Sequence, residues 1–386
     1  MRSSRNCIVA ALAIAAGFLA CRVAEAGQPV AEWISSWAAP PVQPAAGTEF
    51  GGYTTREIMH ASLGGNQVRL RISNFYGTVP LVIGSAHIAL AKSDDTIDQN
   101  TDTALTFGGV GTVTIPVGAV AVSDPTNFSL QPNTNYAASL YTPSTTGAGT
   151  SHFYSSHNSF AASGNQVSQA TMPGEFNLGF SVYFASGLDV TTTGKLRGVV
   201  AIGDSITDGI GSTFDTDSNW PNVLSQLLAT KFGNVWAVAD MGIGGNTLLN
   251  DNDGQGGLAR FDRDVLAIPG VTQIIEAEGI NDLNLGASSD ALIAGLKQMI
   301  NRAHEKGLTI YGATITPDSG NGTFESNREA VNHFIRSGAF DGYLDFDAAI
   351  RDPNNHAQIY PPYDSGDHLH PNSAGYAKMA KKFPKL

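Results

Sequence analysis

The chain of 386 residues contains only two cysteines, Cys7 and Cys21. If the leader that carries them is cleaved, the remaining chain can form no disulfide and offers no thiol nucleophile or thiolate metal ligand. Basic residues are also scarce, since 22 lysines and arginines stand against 34 aspartates and glutamates, for a net charge of −12. This acidic balance argues against nucleic acid or an anionic membrane as a partner, because both are bound through basic surfaces.

The amino terminus has the features of a secretory signal. Two arginines precede the apolar stretch CIVAALAIAAGFLAC, and residues 24–26 read AEA, which supplies small residues for cleavage. The apolar stretch is too short, and wrongly flanked, for a membrane-spanning helix. Residues 1–26 are therefore predicted to be a signal peptide, and the mature protein is predicted to be secreted or periplasmic. Lipid attachment at Cys21 is the alternative, which the preceding residues disfavour because they fit a lipoprotein cleavage box poorly.

From residue 27 to residue 190 the hydrophobic pattern is that of β-strands. The segment QVRLRISNF places Val68, Leu70 and Ile72 on one face and polar or charged side chains on the other. Further segments of this kind are separated by clusters of Gly, Pro, Asn and Asp, and no long helical period appears. Residues 27–190 are therefore predicted to form an antiparallel, jelly-roll-like β-sandwich domain.

The pattern changes after a polar, linker-like stretch at residues 189–196. Five apolar runs, from RGVVAIG to YLDFDAAI, then alternate with helical segments such as WPNVLSQLLATKF. This alternation predicts a parallel sheet with helices on both faces over residues 191–386. Ligands of such sheets bind beyond the carboxyl ends of the strands. The charged run RFDRD at residues 260–264 is interpreted as an ordinary salt-bridged helix face.

Ser205 lies in the segment GDSITDG, directly after the first strand candidate of this sheet. Gly203 permits a tight turn there, and helical N–H groups near the serine would favour negative charge on a developing oxyanion. A serine in this place can equally be the cap of the next helix. From these residues alone, both interpretations of Ser205 stay open.

A serine nucleophile needs a base, and the segment DSGDHLHPNSAGY near the carboxyl terminus offers one. Asp367 and His370 are three residues apart, so one turn can bring the carboxylate to an imidazole nitrogen and fix its tautomer. His370 is therefore the predicted base, whereas His368 is interpreted as a structural or substrate-wall residue. The cluster lacks the HxxxH spacing of two imidazoles on one helical face, so no metal ligands are predicted.

Two further strand ends carry candidate donors for an oxyanion. Gly245 in GIGGN has an unshielded backbone N–H, and Asn281 in GIND has a side-chain amide. Each motif alone is more often a plain turn or a helix cap. Together with Ser205 and the Asp–His pair, however, they would assemble donor, nucleophile and base at one edge of one sheet. GIGGN is not GxGxxG and no P-loop lysine is present, so these nucleotide-binding motifs are excluded.

The blocks GDSITDG, GIGGN, GIND and DHLHP, in this order, resemble the four signature blocks of the SGNH, or GDSL-type, hydrolase family. The resemblance implies a flavodoxin-like α/β/α sandwich with a five-stranded parallel sheet, and ester hydrolysis without metal or cofactor. It implies that Ser205 is the nucleophile and His370 the base, with Asp367 orienting the imidazole. The oxyanion hole is implied to consist of the N–H groups of Ser205 and Gly245 and the side chain of Asn281.

Finer features are similar to a secreted branch of this family, the acyl esterases found alongside xylanases. They include GSTFDTDSNWP, YDSGDHLHP and, in the amino-terminal part, VRLRISNFYGTVPL. The branch implies short acyl esters, acetyl above all, on a polysaccharide or its oligomers. The alternatives are a lipase, phospholipase or acyltransferase with the same triad, and a non-catalytic carbohydrate-binding protein. Asp204 and Asp208 are expected to hold the serine loop, and Trp220 to line a substrate wall or lie buried. Nothing in the sequence indicates the oligomeric state.

Overall fold

The computed structural model describes residues 32–45, 47–93, 95–191, 196–319 and 322–384. The predicted signal peptide and Cys21 lie outside these residues, as do residues 192–195 of the predicted domain boundary. The described chain from Glu32 onwards forms one compact unit. None of the helices within these ranges is long and apolar enough to cross a membrane.

The amino-terminal part is built of β-strands. In chain order they are β1 (Ile34–Ala38), β2 (Tyr53–Ala61), β3 (Gly65–Ser73), β4 (Leu81–Ile83), β5 (Ser85–Ser93), β6 (Thr96–Ile97), β7 (Thr103–Ala104), β8 (Val113–Ile115), β9 (Val120–Val122), β10 (Thr126–Leu130), β11 (Thr134–Thr142), β12 (Ser151–His152), β13 (Phe160–Ser163), β14 (Phe176–Asn177), β15 (Val182–Tyr183) and β16 (Ala185–Thr191). A short 3-10 turn lies at Gln99–Thr101.

Two antiparallel sheets organise these strands. One has the order β1-β16-β3-β10, with β9 also paired to β3, and the other has the order β14-β13-β2-β11-β5-β6, with β7 paired to β5. Val68, Leu70 and Ile72 of β3 are fully buried and share a core with residues of the second sheet such as Met59 and Leu140. The predicted alternation along β3 is thus explained by one face that packs into this core.

Helices and strands alternate in the carboxy-terminal part. They are β17 (Arg197–Gly203), α1 (Ser205–Asp208), α2 (Trp220–Phe232), β18 (Trp236–Gly242), α3 (Gly257–Phe261), β19 (Val271–Ala277), α4 (Ile280–Asn284), α5 (Ser289–Glu305), β20 (Thr309–Ala313), α6 (Gly322–Arg336), β21 (Gly342–Leu344), α7 (Phe346–Ile350), β22 (Arg351–Asp352), β23 (Asn355–Ile359) and α8 (Ser373–Ala380). A π-helical turn at Asp262–Leu266 continues α3, and a 3-10 turn lies at Pro361–Tyr363.

Strands β17 to β21 form one parallel sheet with the order β18-β17-β19-β20-β21. Numbered from β17, this is the order 2-1-3-4-5 of flavodoxin-like folds. Helices α2, α7 and α8 pack together, and α3, α5 and α6 form a second group. The predicted five-stranded parallel sheet and α/β/α architecture are therefore confirmed.

The fifth strand is shorter than predicted. Strand β21 ends at Leu344, and the rest of YLDFDAAI forms α7. Asp345 begins this helix, because its carboxylate accepts the N–H of Ala348 at 3.1 Å. The prediction of a strand through DFDAAI was wrong because this local capping interaction favours a helix over a strand.

The two parts of the chain meet along β18, an edge strand of the parallel sheet. The Ser62 hydroxyl accepts the N–H of Val238 at 3.0 Å, and the Gly64 N–H donates to the Asn234 side chain at 2.8 Å. Ile34, Val190 and Ala237 share a small apolar cluster at the same place. The amino-terminal sheets therefore contact the parallel sheet directly.

Glu57 is a carboxyl group buried within the amino-terminal part. Its Oε1 accepts the N–H of Tyr183 at 3.2 Å, whereas Oε2 has no hydrogen-bond partner among the described residues. Burial raises the pKa of Glu57 to about 8, so the folded protein holds this group protonated at neutral pH. The unfolded chain releases the same proton near the ordinary pKa of 4.5. The folded state therefore binds more protons between these two values, and its stability falls as the pH rises through that window.

The variant Glu57→Gln removes this titration and is expected to stabilise the protein in alkaline solution. At pH 8.5 the unfolding free energy of E57Q should exceed that of the wild type by on the order of 4 kcal/mol, and its melting temperature should be correspondingly higher. At pH 5 the two proteins should differ little. Thermal unfolding at the two pH values measures the difference. Glu175→Gln, at an exposed carboxylate, serves as the control. An equal shift of the E57Q melting temperature at both pH values would contradict this account.

Candidate active site

The candidate site lies at the carboxyl ends of three adjacent strands, β18, β17 and β19. Gly203, Gly242 and Ala277 occupy the same level of β17, β18 and β19, so the chain leaves the sheet there at one edge. The sequence-predicted residues that follow these three strands are Ser205, Gly245 and Asn281. The parallel sheet therefore brings them to the edge at which doubly wound folds bind their ligands.

Ser205 is the first residue of the short helix α1 and is 6 % exposed. The cap of this helix is Asp204, whose carboxylate accepts the N–H of Ile206 at 2.9 Å. Gly209 ends the helix in the left-handed region, with φ of 104°, where a residue without Cβ is favoured. Because Asp204 supplies the cap, the hydroxyl of Ser205 can contact a different partner.

That partner is His370. Ser205 Oγ lies 2.8 Å from His370 Nε2, and His370 Nδ1 lies 2.6 Å from Asp367 Oδ2. The second oxygen of Asp367 accepts the N–H groups of Leu369 and His370, so the loop itself holds the carboxylate in place. A carboxylate at Nδ1 keeps the ring proton there and leaves the Nε2 lone pair for the serine proton.

Asp367 is expected to be ionised, as the hydrogen bond from His370 Nδ1 requires. Partial burial alone would raise its pKa, but hydrogen bonds from the backbone and ring of His370 and from the N–H of Leu369 outweigh it. They hold the pKa of Asp367 well below its usual range. The group is therefore an ionised hydrogen-bond acceptor at any pH at which an esterase would be assayed.

The two candidate donors lie in neighbouring segments, Gly245 in the loop after β18 and Asn281 in the first turn of α4. Gly245 has φ of 76°, and a side chain at this position would collide with Asp253. Asn281 donates one amide hydrogen to the carbonyl oxygen of Asn246 at 2.7 Å, which ties the α4 amino terminus to the GIGGN loop. The amide carries a second hydrogen that a ligand can accept. An oxyanion hole made of these groups remains a prediction.

Asp208 joins the serine loop to two other segments. Its buried carboxylate accepts the N–H of Gly244 at 3.0 Å through Oδ2 and contacts His152 Nε2 at 3.0 Å through Oδ1. These are the contacts expected of a residue that holds the loop. Sequence reasoning missed His152, because it lies in the amino-terminal part and no local pattern marks it.

The charged run at residues 260–264 is salt-bridged as predicted, since Arg260 lies 3.6 Å and Arg263 2.5 Å from Asp264. The sequence did not reveal, however, that the guanidinium group of Arg260 is fully buried. Arg260 donates to the carbonyl oxygens of Gly203 and Met241 and to the Asn246 side chain, and it pairs with Glu278 at 2.9 Å. It therefore connects the ends of β17 and β18 with the segments that follow β18 and β19. The sequence could not reveal that this side chain is buried, because runs of charged residues normally indicate solvent-exposed helix faces.

Carboxyl groups are concentrated beneath the serine loop. Burial raises the pKa of Glu278 to about 7, although the adjacent Arg260 favours its ionised form. Burial also raises the pKa of Asp204 and Glu276 well above their ordinary values, and Glu278 adds to the effect on both. Ionisation of one of these acids disfavours ionisation of its neighbours, and Arg260 offsets this for Asp204 and Glu278.

Trp220 does not line a substrate wall, whereas the structural or wall-lining role of His368 stays a prediction. Trp220 is completely buried and packs edge-on against Phe346, so the wall prediction was wrong and the buried alternative applies. The first turn of α2, which Asn219 caps, carries the indole into the core. The side chain of His368 is 73 % exposed and contacts Asp364 at 2.6 Å, whereas Ser205 contacts His370.

Within the described ranges of the chain, one group of residues has atoms placed close enough to hold a metal ion. His60, His157 and Asp217 offer ligand atoms within 4.8 Å of one another, in a part of the molecule where β2 meets the segment before α2. Asp217 already contacts His157 Nε2 at 2.7 Å and His60 Nδ1 at 3.0 Å, and Asp215 lies 3.1 Å from His157 Nδ1. A metal on His60 Nδ1 would require a proton on Nε2, which is buried with no partner among the described residues. The geometry therefore fits a hydrogen-bonded network better than a metal centre.

The geometry above agrees with a comparison of the chain with protein families. Residues 201–378 match the GDSL-like lipase/acylhydrolase family. This chain contains a GDSL-like lipase/acylhydrolase domain. The acylhydrolase domain includes Ser205, Gly245, Asn281, Asp367 and His370 within the matched range. The protein is accordingly a carboxylic ester hydrolase.

Solved structures similar to this chain align with about half of it. A Desulfitobacterium hafniense protein assigned to the lipolytic G-D-S-L family is 26% identical over 48% of this chain and 96% of its own, with a TM-score of 0.40. A variant of an acetyl xylan esterase from Geobacillus stearothermophilus is 23% identical over 50% of this chain and 94% of its own, with a TM-score of 0.38. A member of the same lipolytic family from Veillonella parvula is 19% identical over 49% of this chain and 97% of its own, also with a TM-score of 0.38. No curated protein matches this chain significantly.

Proposed function

We propose that the acylhydrolase domain cleaves short acyl esters, acetyl above all, on a polysaccharide or its oligomers, with Ser205 as nucleophile. The observation that carries this proposal is the continuous hydrogen-bonded chain from Ser205 Oγ through the His370 ring to Asp367. A hydroxyl in contact with an imidazole that a carboxylate orients is the arrangement that turns a serine into a nucleophile.

The reaction follows from these contacts. Ser205 Oγ attacks the acyl carbonyl carbon while His370 Nε2 takes the hydroxyl proton, giving a tetrahedral oxyanion. Collapse of that intermediate breaks the bond to the sugar oxygen, which leaves as an alcohol with the proton from His370. Water then attacks the acyl-serine ester with His370 again as base, and the acid departs with Ser205 restored. Asp367 stays ionised throughout and stabilises the imidazolium that forms in each half of the cycle.

The oxyanion would be stabilised by the N–H groups of Ser205 and Gly245 and by the amide of Asn281. In other acyl-transfer enzymes, loss of one such donor lowers kcat by about 10²- to 10³-fold. The common sheet edge supports this assignment, because all three groups follow strands that end at one level. None of the steps draws on a metal or cofactor.

The proposal of a carbohydrate ester draws support from the sequence branch and from an aromatic surface beside the His370 segment. Phe180 and Phe214 stack with ring centroids 3.7 Å apart, and Phe214 is 38 % exposed. The adjacent Thr213 N–H donates to Ser373, three residues after His370. Exposed aromatic rings near a catalytic group offer an apolar face on which a sugar ring can pack. A polymeric substrate also requires an enzyme outside the cytoplasm, in agreement with the predicted signal peptide.

The substrate class is tested with a series of nitrophenyl esters and with acetylated polymers. We expect kcat/KM to be highest for acetate and to fall through butyrate and octanoate to palmitate, and we expect acetate release from acetylated xylan. A maximum at long chains would indicate a lipase, and faster transfer to an added alcohol than to water would indicate an acyltransferase. Acetate release from acetylated pectin but not from xylan would retain the short-acyl assignment and identify a different polymer. The Ser205→Ala variant is the control for all arms.

A further inference from the structure

His152 is a buried residue of β12 whose ring reaches the serine loop of the acylhydrolase domain. Its Nε2 lies 3.0 Å from Asp208 Oδ1 and 2.8 Å from the carbonyl oxygen of Tyr154. Both neighbours are hydrogen-bond acceptors when Asp208 is ionised, so Nε2 carries the ring proton. His152 therefore acts as a hydrogen-bond donor from the amino-terminal part to Asp208.

Asp208 in turn binds the GIGGN loop. Its second oxygen accepts the N–H of Gly244 at 3.0 Å, immediately before the candidate donor Gly245. The two loops also approach closely, since a Cβ on Gly242 would lie 2.3 Å from the Asp208 nitrogen. The orientation of one carboxylate, with His152 on one oxygen and Gly244 on the other, thus positions the Ile243–Gly244 peptide, which directly precedes the peptide that carries the Gly245 N–H.

We propose that His152 is a positioning residue for ester hydrolysis: through Asp208 it holds the Gly244–Gly245 segment in place to bind the oxyanion. The inference rests on the proposed function, because it takes the Gly245 N–H as an oxyanion donor. It makes the amino-terminal part a component of the catalytic machinery, in addition to any role in holding the substrate.

The effect of removing His152 follows from the burial of its partner. Asp208 is 5 % exposed, so the loss of one donor leaves a buried carboxylate oxygen without its hydrogen bond. That carboxylate also faces Asp240, a partly buried acid, which accepts the Gly242 N–H at 2.9 Å. Asp208 is therefore expected to reorient towards other donors and to shift the Gly244 peptide with it.

The shift should act on the transition state and not on the bound ester. An oxyanion donor interacts most strongly with the negative charge that develops during the attack, so a misplaced donor lowers kcat and leaves KM nearly unchanged. A displacement of about 1 Å at a reacting centre can cost on the order of 100-fold in rate. We expect a loss of this order for His152→Ala.

The experiment compares His152→Ala and His152→Gln in the full chain with nitrophenyl acetate and a trifluoromethyl ketone, which forms a tetrahedral adduct with a catalytic serine. For H152A, the affinity for the ketone should fall in parallel with kcat/KM. H152Q should recover much of both, because the glutamine amide can place an N–H near the position of ring Nε2. Melting temperatures show whether each variant is folded, and H152Q provides the test if H152A is not.

Two controls separate positioning from general stability. His87→Ala removes a comparable histidine–carboxylate pair, to Asp102 at 2.9 Å, from the same part of the chain and should leave kcat unchanged. On an Asp208→Ala background, H152A should add little further loss, because both residues act through one carboxylate. Fully additive losses, or a folded H152A with wild-type kcat and ketone affinity, would overturn the inference. Hydrolysis that survives Ser205→Ala would instead reject the proposed function itself.

Discussion

Replacing Ser205 with alanine is expected to lower kcat for ester hydrolysis by about a million-fold, the loss seen when a serine nucleophile is removed from a working triad. The variant keeps the loop but has no oxygen to form the acyl-enzyme, so only stabilisation by the remaining donors would persist. Steady-state hydrolysis of nitrophenyl acetate measures the loss. Mass spectrometry after treatment with a fluorophosphonate should show one adduct on the wild type and none on S205A.

The fold of this variant should be preserved, because the serine does not cap its own helix. Asp204 accepts the Ile206 N–H, and that hydrogen bond is unaffected by the substitution. We therefore expect the melting temperature of S205A to remain close to that of the wild type. Ser218→Ala is a matched control, since the hydroxyl of Ser218 lies 2.9 Å from the Ser373 hydroxyl, whereas that of Ser205 lies 2.8 Å from His370 Nε2. Comparable losses in the two variants would reject Ser205 as nucleophile.

The position of Asp204 also explains why the sequence left the role of Ser205 open. Both a cap and a nucleophile are expected at the start of a helix after a buried strand, and the segment GDSITDG contains four residue types that can cap, namely Gly, Asp, Ser and Thr. The structure assigns the cap to the aspartate that precedes the serine. That assignment depends on the backbone angles of a four-residue helix, which hydrophobic patterns do not specify.

The parallel sheet was predictable because each of its strands is a local apolar run. Strand β17 coincides with RGVVAIG, and helix α2 with WPNVLSQLLATKF. The proximity of Asp367 to His370 was also accessible, since three residues separate them and one turn closes the distance. These features depend on short stretches of chain, for which periodicity and spacing are informative.

The features that the sequence did not reveal depend on contacts between distant segments. His152 and Asp208 are separated by 56 positions, and Arg260 reaches Gly203 across 57. Such pairs form because these side chains are buried, and a buried polar group is stabilised by a hydrogen-bond partner. A charged or imidazole side chain that satisfies this need looks like any surface residue in the sequence. Burial, and not residue type, made these side chains part of the site.

Replacing Asp367 with asparagine is expected to lower kcat by about 10⁴-fold, the loss found when a triad aspartate becomes an amide. The asparagine oxygen can still accept the N–H groups of Leu369 and His370, so the loop should keep its shape. Its NH₂ group would face His370 Nδ1 and donate to it, which moves the ring proton to Nε2. A protonated Nε2 cannot take the proton of Ser205, so the hydrogen-bonded contact would persist without its chemistry. Steady-state kinetics with nitrophenyl acetate would show the loss in kcat, with KM little changed.

The same loop contains a matched control for this substitution. Asp364 contacts His368 Nδ1 at 2.6 Å, the same separation as in the Asp367–His370 pair, and its other oxygen likewise accepts backbone N–H groups. Asp364→Asn therefore changes a carboxylate–imidazole pair of the same kind without touching the ring that contacts Ser205. We expect it to retain kcat within a few-fold of the wild type, since His368 faces solvent and transfers no proton in the proposed reaction. Equal losses in D364N and D367N would mean that the loop geometry, and not the tautomer of His370, limits catalysis.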